Sequence, residues 1–357
     1  MKILVTGGSG FLGMHCVQEA LRRGHTLRVT TRDVAATRAE FDRYIAGSSE
    51  VELVSARLEV SEDWEGIAQG CEAILHTASP FPALQPKDPM DVIRPASMGV
   101  RHVVRAAQEA GISRMVMTSS IVAMLYPDDD PDGLRDRTVY DWTNENRDDH
   151  TAYVRSKAYA ERYAWELVSE PEIRLTTILP GLILGPPVSN RLASSHAIIT
   201  GVLDKTVPLI PPVFFGMVDV RDVAAMHLDC LAEDATVGHR LPCAPYHGTA
   251  RYIVEVIQEG WAEKLPRTVA PAWAVRLLAR FDPRLEAIVR DVGVARRVNM
   301  LEAQALVPRS WRTIETSVID TLDFLVDRLG YVDYRLMEAR DGYVNPALAG
   351  KGASQNA

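Results

Sequence analysis

The sequence has few cysteines and no long apolar run. It has four cysteines in 357 residues, at positions 16, 71, 230 and 243, and no two of them form a Cys-x-x-Cys motif. A zinc site and a redox dithiol are therefore not predicted, and buried free thiols are the preferred interpretation. No apolar run is long enough for a transmembrane helix, and the short apolar N-terminal segment is not a signal peptide. We expect a cytoplasmic protein.

Basic residues are also fewer than acidic ones. Lys and Arg total 39 against 47 Asp and Glu, which gives a formal net charge of −8. An acidic surface is a poor match for nucleic acid or for an anionic membrane, so neither partner is expected. The length favours one large domain with a smaller attached lobe, and a homodimer is left open.

Glycine, in contrast, is concentrated near the N-terminus. A short apolar strand from Lys2 runs into a turn that contains Gly7, Gly8, Gly10 and Gly13, and a helical pattern follows. Glycine permits positive φ, lets a phosphate approach the backbone and allows the strand and helix to pack closely. The following helix then presents its first amides and the positive end of its dipole. Strand, turn and helix together predict a dinucleotide site.

The second predicted strand, Thr26–Thr31, ends in Arg32 and Asp33. At this place an acid accepts a hydrogen bond from the ribose 2′-hydroxyl of NAD, whereas an arginine pairs with the 2′-phosphate of NADP. Arg38 follows on the next predicted helix, so two guanidinium groups could bracket one phosphate. We favour NADP(H), with NAD(H) through Asp33 as the alternative and a solvated charge as the alternative for Arg38.

Strands and helices then alternate. Residues 51–54, 73–76 and 114–118 are predicted as buried strands with helical stretches between them. Such alternation predicts an α/β fold of the Rossmann type, with a doubly wound parallel sheet whose ligands lie beyond the carboxyl ends of the strands. We expect residues 1–180 and 215–240 in this domain, with 217–231 as a return to the main sheet and a helix. Residues 181–214 and 241–335 would form a smaller C-terminal substrate lobe, and 336–357 a flexible tail.

Two segments have biased charge. Residues 127–149 hold nine acids and three arginines, which predicts a solvated surface loop; the spacing does not fit an EF-hand calcium loop. Residues 271–314 hold eight arginines and four acids, and a solvated face is favoured over a site for a carboxylate or CoA phosphates. No metal site is predicted.

A tyrosine and a lysine are paired in the predicted helix that begins near residue 150. Tyr153 and Lys157 are four residues apart and therefore neighbours on one face. An ammonium beside a phenol stabilises the phenolate, so we expect a lowered pKa of Tyr153 and proton exchange near neutral pH. Tyr159 and Tyr163 lack a lysine partner and are interpreted as packing residues.

These motifs together resemble the extended short-chain dehydrogenase/reductase family, within the NAD-dependent epimerase/dehydratase superfamily. The finer pattern is similar to the branch that contains dihydroflavonol 4-reductase, cinnamoyl-CoA reductase and microbial aldehyde or ketone reductases. The segments that carry the resemblance are 7–13, 29–33, 76–80, 117–120, 153–162, 178–186 and 218–224.

The resemblance implies roles for individual residues. Ser120 would hydrogen-bond the substrate carbonyl, Tyr153 would deliver the proton, and Lys157 would hold the nicotinamide ribose; Ser119 is the alternative to Ser120, and otherwise bonds within its turn. Arg32 falls where NADP-using relatives place their phosphate-binding arginine. The full set implied to contact the cofactor is Gly7, Gly10, Phe11, Leu12, Gly13, Arg32, Arg38, Leu58, Thr77, Ala78, Tyr153, Lys157 and Pro180.

Three departures narrow the expected substrate. Arg57 replaces the acid that usually precedes Leu58, and Leu125 stands where flavonoid reductases have an asparagine that orients the substrate. The signature of plant cinnamoyl-CoA reductases is also absent at 151–157. The resemblance therefore implies an NADP(H)-dependent reductase of a medium-sized, partly apolar or aromatic ketone or aldehyde. A nucleotide-sugar epimerase or dehydratase and a non-catalytic NADP-sensing regulator are the alternatives.

Overall fold

Apolar and β-branched runs form the strands of the protein, and amphipathic stretches form its helices. The computed structural model describes residues 1–80, 86, 88–130, 132–168, 173–206, 209–261, 265–286 and 288–331. The tail expected at 336–357 lies outside this range. The strands are β1 Lys2–Thr6, β2 Thr26–Thr31, β3 Val51–Ser55, β4 Ala73–His76, β5 Arg114–Thr118, β6 Arg174–Pro180, β7 Leu182–Leu184, β8 Phe214–Asp219, β9 Arg240–Cys243 and β10 Tyr246–Thr249. The helices are α1 Phe11–Arg22, α2 Val34–Tyr44, α3 Met90–Glu109, α4 Ala152–Leu167, α5 Ala197–Leu203, α6 Val220–Ala232, α7 Ala250–Gly260, α8 Ala272–Leu278, α9 Pro283–Glu286, α10 Leu301–Leu306 and α11 Ile314–Leu329.

The main sheet has seven parallel strands in the order β3-β2-β1-β4-β5-β6-β9. Side chains alternate across it, as the pleat requires. Ile3 and Val5 pack on the side of α1 and α6, whereas Leu4 packs on the side of α3 and α4. The predicted Rossmann-type α/β sheet is confirmed. Its order reverses at β1 and β4, where a doubly wound sheet binds its ligand.

A second, smaller sheet has three strands, in which β7 pairs parallel with β8 and β10 pairs antiparallel with β8. The expected return to the main sheet at 217–219 is therefore wrong, because β8 belongs to the small sheet and β9 is the seventh strand. A close backbone approach explains the difference. A Cβ on Gly181 would lie 2.3 Å from the carbonyl oxygen of Gly216, so only glycine lets the two segments pass at this distance. Helices α5, α7 and α11 cover this sheet with a separate apolar core.

The acidic segment 127–149 is not simply a solvated loop. The side chain of Arg137 is fully buried and pairs with Asp130 at 2.5 Å, while Arg135 pairs with the buried Asp141. Arg290 reaches across to Asp149 at 2.8 Å. Two ion pairs thus lie within this segment, and one joins it to the C-terminal part of the chain.

The basic segment 271–314 departs from its expected solvated face in the same way. The guanidinium groups of Arg296, Arg309 and Arg312 pair with acids of this chain rather than facing solvent alone. With Arg290, four of the eight arginines in this segment are thus paired within the fold.

The four cysteines lie buried, as predicted. Among the described residues, no group of His, Cys, Asp and Glu side chains is arranged to hold a metal ion. In the same part of the chain, no helix combines the length and apolar character needed to cross a bilayer.

Candidate active site

The glycine turn lies between β1 and α1 with almost no space for side chains. Gly7 has φ of +70°, and a Cβ there would lie 2.7 Å from the Cα of Ala78. A Cβ on Gly13 would lie 2.1 Å from the carbonyl oxygen of Gly7. Gly10 precedes the first turn of α1 as its N-cap. The bare backbone and the helix amides form a cradle that fits a pyrophosphate, as predicted from the sequence.

The end of β4 lies beside this turn. The Thr77 hydroxyl donates a hydrogen bond to the Thr6 carbonyl at 2.6 Å, and the Ala78 amide donates to the Thr6 hydroxyl at 3.3 Å. The same Thr6 hydroxyl bonds the ring of His76 at 2.7 Å. The structure thus brings Thr77 and Ala78 to the turn, where the sequence prediction needs them.

Phe11 and Leu12 begin α1, and their side chains point to different surroundings. The Phe11 ring packs edge-on against His15 and His196, with centroids 5.7 and 4.7 Å apart, and so joins α1 to the smaller lobe. Leu12 is buried in the main core. The contacts of Phe11 and Leu12 with a cofactor stay predictions.

The three polar residues after β2 have separate environments. Arg32 is exposed, and Asp33 caps α2 by accepting a hydrogen bond from the Ala36 amide at 2.9 Å. Arg38 donates to the carbonyls of Ser48 and Val51 at 2.7 and 2.5 Å. Its guanidinium holds α2 to the segment before β3, so the structure does not support the predicted role of Arg38 as a second phosphate ligand, nor a freely solvated charge.

Leu58 and Pro180 lie at the ends of two other strands. Leu58 follows β3 and packs on α3, where a Cβ on Gly99 would lie 2.8 Å from its Cδ2. Pro180 is the last residue of β6, next to Cys243 of β9. Both belong to the carboxyl edge of the sheet, and their contacts with a cofactor stay predictions.

Ser120 and Tyr153 meet near the end of β5, and Lys157 follows Tyr153 one turn further along α4. Thr151 caps α4 by accepting a hydrogen bond from the Val154 amide at 3.3 Å, which starts the helix just before Tyr153. Ser120 follows β5 and caps the short 3-10 helix Ile121–Ala123. Its hydroxyl hydrogen-bonds the phenol of Tyr153. The serine and tyrosine that the sequence singled out are therefore in direct contact.

The electrostatics of this group differ from the expectation. Burial raises the pKa of Tyr153, and the hydrogen bond from Ser120 only partly opposes this change. The predicted lowering of this pKa by Lys157 is wrong, because loss of hydration disfavours the phenolate more than the Ser120 hydrogen bond favours it. Burial also lowers the pKa of Lys157 to about 8, against the opposing charge of Glu161. His76 stays neutral because burial and the charge of Lys157 lower its pKa to about 3.

Ser119 has a different role from Ser120. Its hydroxyl donates to the carboxylate of Glu161 at 2.7 Å, and Glu161 pairs with Arg240 of β9 at 2.8 Å. Ser119 is thus bonded outside its own turn and away from Tyr153. Neither Glu161 nor Arg240 was singled out from the sequence. The signal available for Glu161 was its position four residues after Lys157, on the same helical face.

Comparison with known proteins places this geometry in a family. Residues 3–240 match the NAD dependent epimerase/dehydratase family. Cinnamoyl-CoA reductase CAD2 of Medicago truncatula is 34% identical over 233 residues, which are 63% of this chain and 71% of that protein.

Two solved structures are similar over nearly the whole chain. The yeast methylglyoxal/isovaleraldehyde reductase Gre2, complexed with NADPH, has a TM-score of 0.76 at 21% identity and covers 93% of this chain and 100% of its own. Vestitone reductase from alfalfa has a TM-score of 0.70 at 22% identity, with 93% and 99% covered. These structures share the fold, and the reductase relatives support an oxidoreductase. With its glycine turn, seven-stranded sheet and sequence match, the chain is an extended short-chain dehydrogenase/reductase and belongs to the NAD dependent epimerase/dehydratase family.

Proposed function

We propose that the protein is an NADP(H)-dependent reductase that converts a ketone or an aldehyde to the alcohol, reversibly, through Ser120, Tyr153 and Lys157. The observation that carries the proposal is the hydrogen bond between Ser120 and Tyr153, with Lys157 one helical turn further on. A regulator that only senses the cofactor would need the glycine turn but not this pair.

Each side chain has a defined task in the reduction. When bound, the cofactor supplies the hydride. The Ser120 hydroxyl donates a hydrogen bond to the substrate carbonyl oxygen, and the Tyr153 phenol gives that oxygen its proton. The raised pKa of Tyr153 keeps the phenol protonated at neutral pH, which is the form that reduction requires. The ammonium of Lys157 stabilises the phenolate left behind.

The choice of NADP(H) rests on the end of β2. Arg32 is exposed there, whereas Asp33 uses its carboxylate to cap α2. A guanidinium suits a phosphate dianion, and a carboxylate engaged at a helix terminus is a poorer partner for a ribose hydroxyl. The similar fold of yeast Gre2 was solved with NADPH.

The substrate is proposed to be medium-sized and partly apolar or aromatic, bound between the main sheet and the lobe at 181–214 and from 244 onward. Leu125, in the place of the flavonoid reductases' asparagine, is buried in an apolar cluster with Ile121 and Val154. Four of the eight arginines in 271–314 pair with acids, which weakens the case for a CoA-phosphate site there. A small ketone or aldehyde is favoured over an acyl-CoA.

The test compares wild type with Tyr153→Phe and Tyr159→Phe, using a panel of aldehydes, ketones and acyl-CoA thioesters with NADPH and NADH. Loss of general acid catalysis predicts a fall in kcat of about 10²- to 10⁴-fold for Tyr153→Phe. Tyr159 is 41% exposed on the same helix, so Tyr159→Phe makes the same chemical change away from the site and should keep wild-type kcat. Equal turnover by wild type and Tyr153→Phe would refute the proposed relay.

A further inference from the structure

A buried ion pair lies directly behind Lys157 and the two serines. Glu161 is fully buried, and Arg240 is 8% exposed. One carboxylate oxygen accepts from Arg240 Nε at 2.8 Å and from the Thr177 hydroxyl at 2.7 Å. The other accepts from the Ser119 hydroxyl at 2.7 Å and from Arg240 Nη2 at 3.2 Å. Each oxygen of Glu161 therefore has two donors.

These contacts join four elements of the fold. Glu161 belongs to α4, Ser119 follows β5, Thr177 lies in β6, and Arg240 begins β9. Arg240 also donates to the carbonyls of Val139 and Asp141 at 2.8 and 2.7 Å. The acid thus fixes the helix of Tyr153 and Lys157 against the segment that holds Ser120.

Fold stability does not by itself explain this arrangement. Removing a carboxylate and a guanidinium from water costs several kcal/mol per ion, and apolar residues of similar volume often stabilise a core at least as well. A buried pair is more readily explained where its charge or its directed hydrogen bonds have a use. Here the bonded Ser119 is the immediate neighbour of Ser120, and Lys157 is one turn away.

We propose that Glu161 is a positioning residue of the reductase: its buried carboxylate, held by Arg240, fixes Ser119 and hence the Ser120 segment against α4, and it supplies the negative charge that Lys157 faces. The expected effect of Glu161 on turnover rests on the proposed function. Its expected effect on the charge of Lys157 does not, and that charge is measured without following turnover.

The groups around Lys157 show which of them can act on its charge. Tyr153 and Glu161 share its helix, His76 lies at the end of β4, and Arg240 lies behind Glu161. His76 is neutral throughout the working range, since its pKa is lowered to about 3. Tyr153 is uncharged at neutral pH. Glu161 is therefore the nearby negative charge that favours the ammonium, against the burial that lowers the pKa of Lys157 to about 8.

The first experiment measures the charge of Lys157 directly. The whole protein is labelled with an amine-reactive anhydride over a range of pH, and modification of Lys157 is followed by peptide mass spectrometry. Glu161→Gln should move the labelling midpoint of Lys157 down by about one pH unit, because a nearby opposite charge is removed. Glu166→Gln makes the same change at an exposed position of α4 and should leave the midpoint at the wild-type value. The same midpoint in all three proteins would overturn the electrostatic part.

The second experiment measures kcat and KM for carbonyl reduction against pH. Glu161→Gln should lower kcat by about tenfold to a hundredfold, as expected from misplacement of reacting groups, and move the alkaline limb of the profile to lower pH. The KM for NADPH should change much less, since the glycine turn is untouched. Glu161→Asp should recover part of kcat. Wild-type kcat and pH profile in folded Glu161→Gln would overturn the positioning role.

Two further variants keep the test decisive if Glu161→Gln does not fold. The Glu161→Gln/Arg240→Gln variant removes both charges and leaves no unpaired buried ion. It should lower the Lys157 midpoint by less than Glu161→Gln does, because a positive charge leaves together with the negative one, and a wild-type midpoint would overturn the electrostatic part. Ser119→Ala keeps the ion pair, so it should keep the midpoint and lower kcat; unchanged kcat would overturn the link through Ser119. If Tyr153→Phe retained full turnover, the proposed function would fail while the labelling result stood independently.

Discussion

The glycine turn and the inner face of α4 present polar groups in different ways: the turn uses its backbone, and the helix uses its side chains. The turn between β1 and α1 works through backbone alone, and at Gly7 and Gly13 an added carbon would overlap other atoms. The face of α4 works through long side chains: Tyr153 and Lys157 are half-buried, and Glu161 is fully buried. The first region is limited by space and the second by hydration. A substitution should therefore fail for different reasons in each.

The largest effect is expected at Gly13. Gly13→Ala would place its Cβ 2.1 Å from the Gly7 carbonyl oxygen, a backbone atom that cannot turn aside. We expect a loss of about 3 kcal/mol or more in the free energy of unfolding, together with loss of cofactor binding. Urea unfolding and quenching of NADPH fluorescence measure the two quantities.

Gly24→Ala is the matched control for Gly13→Ala. Gly24 has φ of +78° and nothing within 4 Å of an added Cβ. Its cost is the conformational strain alone, about 1–2 kcal/mol, with NADPH binding retained. A Gly13→Ala protein as stable as Gly24→Ala would contradict the view that space limits the turn.

The next largest effect is expected at Arg32, on the KM for the cofactor. Removing a charged hydrogen-bonding partner costs about 1.5–3 kcal/mol. Arg32→Ala should therefore raise the KM for NADPH by about 10- to 100-fold and leave the KM for NADH nearly unchanged. Steady-state kinetics with both cofactors measures the ratio.

Arg38→Ala separates a phosphate ligand from a structural arginine. Its guanidinium is occupied by the carbonyls of Ser48 and Val51, so this change should lower the melting temperature and keep the NADPH to NADH preference. If Arg32→Ala raised the KM for NADPH and the KM for NADH equally, the assignment of Arg32 to the 2′-phosphate would be wrong.

Lys157 gives an effect on stability of the opposite sign, and this sign distinguishes the two regions. The folded pKa of about 8 is below the unfolded value, so the native state holds a charge that burial penalises at pH 7. Lys157→Met should therefore stabilise the protein at pH 7, on the order of 2 kcal/mol after allowing for partial exposure. It should also abolish turnover, because the proposed reduction needs the ammonium.

The pH dependence of this gain is its check. Between pH 8 and about 10.4 the native wild type sheds its proton while the unfolded chain keeps it, so the penalty on wild type disappears. The advantage of Lys157→Met should shrink across this range. Thermal unfolding at pH 7 and at high pH measures it, and a variant less stable than wild type at pH 7 would show that burial does not penalise this lysine.

Much of the fold and part of the site could be predicted because they depend on local patterns. Alternating strands and helices specify a parallel sheet, and the spacing of Gly7, Gly10 and Gly13 specifies a turn between a strand and a helix. The spacing of Tyr153 and Lys157 likewise places them on one helical face. The pairing of β8 was mispredicted because it depends on the approach of Gly181 to Gly216, which are 35 positions apart.

The sequence by itself determined the α/β class, the glycine cradle and the residues to examine at the carboxyl edge of the sheet, since each follows from spacing along the chain. Only the tertiary structure decided which charges are free. In the folded protein, Asp33 caps a helix and Arg38 hydrogen-bonds two carbonyls. Burial raises the pKa of Tyr153, whereas the sequence had predicted a lowered one. It also brought Arg240 to Glu161 from 79 residues away. The physical reason is that hydration and pairing depend on what surrounds a group in space, and the residues that surround these groups are distant in the chain.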